Sequence, residues 1–109
     1  MKRVSFNVAK AIKEAGYPQE AKEDERSYSE YDSESKTFVQ IPYAIEVWLW
    51  LWREKKIIAD IGSNERGILA SIWTSEMDKI WDNMSINYTD PEEAIIAAIE
   101  YLVENNLIK

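Results

Sequence analysis

Three of the five tryptophans fall within five residues, Trp48-Leu49-Trp50-Leu51-Trp52, inside the stretch from Ile41 to Gly62. Indoles are the largest apolar side chains, so whatever element carries this run is the one the rest of the chain must be arranged around. Read as a helix, the run has Pro42 at its first position, where the missing N–H costs nothing. Ile45, Trp48, Leu49 and Trp52 then recur at i, i+3, i+4 and i+7, which predicts them as the inner stripe. Val47, Trp50 and Leu51 lie on other sides, so the helix is apolar nearly all round. Such a helix is buried from several directions or covered by a partner. A central β-strand is the rival, because strands favour aromatic residues and both faces of a buried strand are apolar. A membrane span fails on length: about 20 apolar residues are needed, and Glu46 and Arg53 interrupt the run.

The totals narrow the classes of function. A chain of 109 residues is the size of a single domain, here 1–109, able to bury a core without disulfides or metal. It contains neither cysteine nor histidine. That removes thiolate chemistry, the Ser-His-Asp and Cys-His arrangements, the commonest general base and every Cys/His zinc site. A formal charge of −7 opposes direct nucleic-acid binding, which depends on neutralising phosphates, and opposes attraction to an anionic membrane. Met1-Lys2-Arg3 is followed by Asn7 and Lys10 rather than by a signal-peptide core, so the expected location is cytoplasmic. No cofactor, metal or small-molecule ligand is implied.

Taken in order, Val4, Val8, Ala11, Ile12 and Ala15 predict a first helix with Ser5 as N-cap and Gly16 as its left-handed terminator. Glu20 to Arg26 is a charged run. Glu20, Glu23, Asp24 and Glu25 lack the glycine that a calcium-type loop needs for its bend, so a solvated loop or frayed turn is the expectation. Strands near Ser27 to Tyr31 and Lys36 to Ile41, joined around Asp32 to Ser35, form a predicted hairpin. A second hairpin pairs Lys56 to Ile61 with Ile68 to Thr74 across Gly62-Ser63-Asn64-Glu65-Arg66-Gly67. The two glycines have the spacing of a phosphate loop, but Ile68 and Leu69 stand where its lysine and hydroxyl are required. From Ser75 to Asn83, the residues Met77, Ile80, Trp81 and Met84 fit one helical face, with Asp78 and Asp82 on the other. Ile86 and Tyr88 read as a short final strand. Asp90-Pro91-Glu92-Glu93 opens a last helix, with Asp90 as N-cap, Pro91 at the first position and Glu93 completing a capping box. Ala94, Ile95, Ala98, Ile99, Leu102 and Val103 are its buried stripe, ended by Asn105-Asn106.

The order of these parts resembles small uncharacterised proteins encoded by bacterial phages and prophages. The shared features are Ala15-Gly16-Tyr17 closing the first helix, a Tyr-rich acidic segment, and a proline before a Trp-rich helix that runs into Arg53-Glu54-Lys55-Lys56-Ile57. A hairpin and a closing Pro91-Glu92-Glu93-Ala94-Ile95 helix complete the pattern. Those proteins usually carry Pro-Thr where Pro42-Tyr43 stands here. The resemblance implies a compact α+β domain in a bacterial cytoplasm, and it carries no activity or functional residue with it.

The expected architecture is α+β in two layers, a mostly antiparallel sheet of about three to five strands packed on one face by two or three helices. The expected function is that of a non-enzymatic interaction or assembly module that binds a protein partner or itself. Interface centres are rich in Trp, Tyr and Arg, and Trp50, off the inner stripe of its helix, and Trp81 are expected to be partly exposed and are the candidate partner contacts. Two alternatives stand beside it. One is an acidic decoy or inhibitor that offers the Glu20 to Glu34 region to a basic nucleic-acid-binding enzyme. The other is a hydrolase working with carboxylates alone.

Overall fold

A computed structural model of the chain describes residues 1–19 and 28–108, with the backbone alone over 83–87. The charged run from Glu20 to Arg26, with its carboxylates Glu20, Glu23, Asp24 and Glu25, therefore lies outside the described residues. The elements are α1 (Phe6–Glu14), β1 (Ser29–Asp32), β2 (Thr37–Gln40), α2 (Ala44–Trp50) continued by a π-helical turn (Leu51–Lys55), β3 (Ile57–Asn64), β4 (Gly67–Thr74), β5 (Lys79–Tyr88) and α3 (Pro91–Glu104). The fold is α+β, with a two-stranded β1-β2 sheet and a three-stranded sheet in the order β3-β4-β5, every pairing antiparallel. Among the described residues no helix is long and apolar enough to cross a membrane.

Helix α3 is the central layer. One side covers the inner face of the three-stranded sheet, and α1 and α2 pack against it from elsewhere on its circumference. Ala94, Ile95, Ala98, Ile99 and Leu102 are all buried there, together with Ile57, Ala59, Ala70 and Ile72 from alternate positions of β3 and β4. Helix α1 contributes Val8, Ala9 and Ile12 and carries the β1-β2 hairpin on its flank. The succession hairpin, α1, α3, sheet accounts for the elongated outline of 44 × 27 × 22 Å.

Local signals place most of these elements. Ser5 Oγ accepts from Val8 N at 3.3 Å, and α1 ends at Gly16 with φ +104°, a conformation that an L side chain rarely adopts. Asp90 caps α3 by accepting from Glu92 N at 2.9 Å. Glu93 does not reach back to complete a capping box. It pairs with Lys2 at 2.9 Å, and Lys2 also binds Asp90 at 3.0 Å, so the chain's start is strapped to the start of α3. In the β1-β2 hairpin, Asp32 is the buried charged residue among the described core. It accepts from Ser35 Oγ at 2.8 Å and from Glu34 N at 3.1 Å, and lies 3.5 Å from Lys10 Nζ on α1. The β3-β4 hairpin is longer than predicted. Its strands run on through Gly62, which pairs with Leu69, and leave only Glu65 and Arg66 as the loop. Asn64 Oδ1 accepts from Arg66 N at 2.8 Å and Gly67 N at 3.1 Å, a side-chain turn that lets Gly67 close the loop at φ +143°.

Three expectations are corrected. Pro42 is not the first residue of α2: its carbonyl accepts from Val4 N at 3.1 Å, Ala44 N donates to Lys2 at 2.9 Å, and α2 begins only at Ala44. Tyr43, bridged to Arg3, is extended at φ −69° and ψ 146° and stands as the N-cap, so the helix starts after it. In place of the helix predicted over Ser75 to Asn83, residues 75–78 form the β4-β5 turn and Lys79 begins the ten-residue strand β5. Bulges at Ile68/Ala70 and Ile72/Trp73 interrupt its register with β4, so Ile80 and Trp81, adjacent in sequence, both pack against the core. That breaks the two-residue alternation and imitates helical spacing. Asp78 and Asp82 accordingly share no helix face, and Asp82 pairs with Lys79 at 2.7 Å. The third correction concerns the phase of α2 and is described below.

Two predictions arise from this framework. Met77 is exposed and sits at φ +67° in the β4-β5 turn. A left-handed L residue costs about 1–2 kcal/mol, part of which glycine returns through its greater freedom when unfolded. Met77→Gly should therefore add up to about 1 kcal/mol of stability, read as a higher urea midpoint, and Met77→Val should lower the midpoint. The second concerns pH. The Ser35 hydroxyl, the Glu34 amide and Lys10 hold the Asp32 carboxyl below the ordinary range, and Lys2 and the Glu92 amide do the same for Asp90. Groups with depressed values stabilise the fold fully above the ordinary carboxyl range of about 4 and lose that contribution as pH falls through their folded values. Stability should fall progressively below about pH 5, and Asp32→Asn should flatten that acid limb while lowering stability at pH 7, as read by denaturant melts across pH.

Candidate interaction surface

Helix α2 packs against α3. Ala44 and Val47 of α2 and Leu51 at the start of the π-helical turn are fully buried in the shared core. Ala44, Val47 and Leu51 fall at i, i+3 and i+7, so they mark the inward side of the segment, and the indoles project from other sides. The predicted inner stripe of Ile45, Trp48, Leu49 and Trp52 is thereby displaced outward: Leu49 is 40 % exposed and Trp52 46 % exposed. Trp50, expected at the surface, is 8 % exposed, because it packs edge-on against Tyr17 with ring centroids 5.2 Å apart. Trp81 is half-buried on the inner face of the sheet, stacked on Tyr101 of α3 at 4.9 Å with the planes 21° apart. Of the two candidate contacts, Trp50 is thus removed from the surface, and Trp81 keeps only a partly exposed edge.

Trp48 stands between inside and outside. Its indole N–H donates to Ala59 O at 2.8 Å, satisfying an outward-facing carbonyl on the edge strand β3 and shielding that edge from further pairing. Beyond it α2 widens into the π-helical turn, a rare form that recurs at functional positions. The turn ends at Lys56, which adopts the left-handed conformation at φ +56° and whose N–H closes onto Leu51 O. This reversal brings Lys56 Nζ to 5.6 Å from the Trp52 ring centroid, within cation–π range. The result is an apolar stripe of Ile45, Leu49 and Trp52 facing away from the core, with Glu46 and Arg53 exposed along one border and Lys56 at its end.

Two further surfaces carry aromatic residues. On the outward face of the β1-β2 hairpin, Tyr31 and Phe38 are cross-strand partners, 55 % and 66 % exposed, in edge-to-face contact at 5.4 Å. On the face of the three-stranded sheet away from α3, Trp73 pairs with Ile58, donates to Ser71 Oγ at 2.9 Å and lies 5.8 Å from Lys79 Nζ. A cleft of about 380 Å³ opens between the ends of α1 and α3, lined by Ala11, Glu14, Ala15, Val103, Asn106 and Ile108. Its lining offers a single carboxylate and no second titratable group to work with it. Among the described residues no cluster of three Asp or Glu side chains could hold a metal ion.

The α2 stripe differs from the other surfaces in combining large apolar side chains, regular helical spacing and charges of both signs at its border. Sequence reasoning named its residues but assigned them to the wrong side. The signal within reach was the charged run Arg53-Glu54-Lys55-Lys56 following Trp52 directly, since charged residues are mostly exposed and mark the end of the helix as turning to solvent.

No family model matches the chain, and neither a curated protein nor a solved structure is similar to it.

Acrylamide quenching of indole fluorescence distinguishes the two placements. Trp52→Phe should remove the most accessible emission and lower the overall quenching constant, and Trp50→Phe should leave the accessible fraction nearly unchanged. The opposite ranking would restore Trp50 as the surface residue.

Proposed function

We propose that this chain is a non-enzymatic protein-interaction or assembly module of phage or prophage type, acting in a bacterial cytoplasm through the outward stripe Ile45-Leu49-Trp52. The observation that carries this reading is the exposure of Leu49 and Trp52 at helical spacing on one element, bordered by charge. Isolated exposed apolar residues are ordinary, but a contiguous patch on a small monomer marks a contact surface. Tryptophan with neighbouring arginine is also the composition most enriched at interface hot spots. The phage or prophage setting rests on the sequence pattern, from Ala15-Gly16-Tyr17 through the Trp-rich helix to Pro91-Glu92-Glu93. The absence of cysteine and histidine from the chain supports binding over catalysis, because the commonest nucleophile and base are missing.

A differential capture experiment tests the reading. Immobilised wild-type protein and a Leu49→Ser/Trp52→Ser variant are exposed to the same bacterial lysate, and bound proteins are identified by mass. The expected result is at least one protein retained by the wild type and lost with the variant. Both substituted side chains are on the surface, so the variant should keep its circular dichroism spectrum. Identical retention by the two baits would remove the stripe as a surface for a different protein, leaving self-association as its only remaining role.

A further inference from the structure

We infer that the occupant of the Ile45-Leu49-Trp52 stripe is a second copy of this chain, its α2 segment packed antiparallel to the first about a two-fold axis. This rests on the reading of that stripe as the interaction surface and adds the identity and orientation of the partner. Ile45, Leu49 and Trp52 are spaced by four and then three residues, the spacing of the inward positions of a heptad. Glu46 in α2 and Arg53 in the π-helical turn are seven residues apart and both exposed; the wider turn rotates Arg53 somewhat from the regular heptad position but leaves it on the flank of Glu46. In an antiparallel pair related by a two-fold axis, each flank faces the same flank of the other copy. Glu46 of each copy then meets Arg53 of the other, and one symmetric contact makes two ion pairs.

Other arrangements do not satisfy these charges. Within one chain the two groups are two turns apart and out of reach of each other. Among the described residues neither has an ion-pair partner. A parallel pair would set Glu46 and Arg53 against the opposite flank, which is formed by Trp48, and the Trp48 indole is already committed to Ala59 O at 2.8 Å. Antiparallel packing also opposes the two helix dipoles favourably. The formal charge of −7 on each copy repels at long range, but at physiological salt the screening length is about 8 Å, and the local pairs govern the contact. Ala44 to Lys55 spans about 18 Å, so the interface is small and the dimer concentration-dependent.

Sedimentation equilibrium over roughly a hundredfold range of protein concentration, reaching high micromolar, decides the matter. The wild type is expected to move from monomer to dimer, and Leu49→Ser or Trp52→Ser to weaken the dimer by about tenfold or more. Glu46→Arg and Arg53→Glu should each weaken it roughly tenfold, because each replaces two attractive pairs by two repulsive ones. Mixing those two single variants should restore dimer as a heterodimer, and Glu46→Arg/Arg53→Glu in one chain should restore the homodimer. A wild type that stays monomeric throughout overturns the inference, as does a dimer indifferent to Leu49 and Trp52 or one whose charge variants are not rescued by mixing. A monomeric wild type that still retains a different protein through Leu49 and Trp52 in the capture experiment would leave the interaction reading intact and remove only the second copy.

Discussion

The packing of α2 on α3 is the contact on which the arrangement of the chain depends. Ala44, Val47 and Leu51 share one side of the α2 segment and are fully buried, as are Ala98, Ile99 and Leu102 of α3 in the same core. With that side turned inward, the three indoles, which project from other sides, have to find room elsewhere. Each goes where space remains. Trp50 turns toward Tyr17 after α1, Trp48 lies at the edge of β3, and Trp52 turns out to solvent under Lys56. One packing constraint thus determines both what stabilises the core and what is left on the surface.

The parts of the fold legible in the sequence are those with local causes. Ser5, Gly16, Asp90, Asn64 and Gly67 act through their own backbone conformation or a hydrogen bond within a few residues, and the elements they delimit lie close to where they were expected. The phase of α2 has no local cause. A helix apolar on every side has several stripes of similar strength, and its orientation is chosen by the shape of its neighbour, which spacing does not encode. The same holds for β5. Its turn places Met77 in the left-handed position where glycine or asparagine would have signalled a reversal, and its bulges erase the alternation that identifies a strand. The expectation that Trp50 is exposed depends on the phase of α2, which its neighbours and not its own spacing decide; Trp81, although in a strand rather than a helix, is half-buried and so partly exposed as expected.

The exposed stripe has a thermodynamic meaning in a chain of this size. Leaving Leu49 and Trp52 half in water forgoes on the order of 1–2 kcal/mol each relative to burial, an appreciable share of the stability of a small domain. A polar residue at either position would remove that deficit at small cost to the core, because both side chains are largely in water. Retaining two large apolar groups there is consistent with a state in which they are covered, and the free chain then stores part of its association energy as incompletely buried surface. The π-helical turn belongs to the same account. It costs regular hydrogen bonding and ends in a left-handed lysine, yet it places a cation over Trp52 and turns the chain into β3. A regular α-helical ending with glycine at position 56 would relieve that strain but withdraw the charge from the aromatic face. The strain and the exposure fall on the same turn, and both are accounted for if the stripe is an interface in the associated protein.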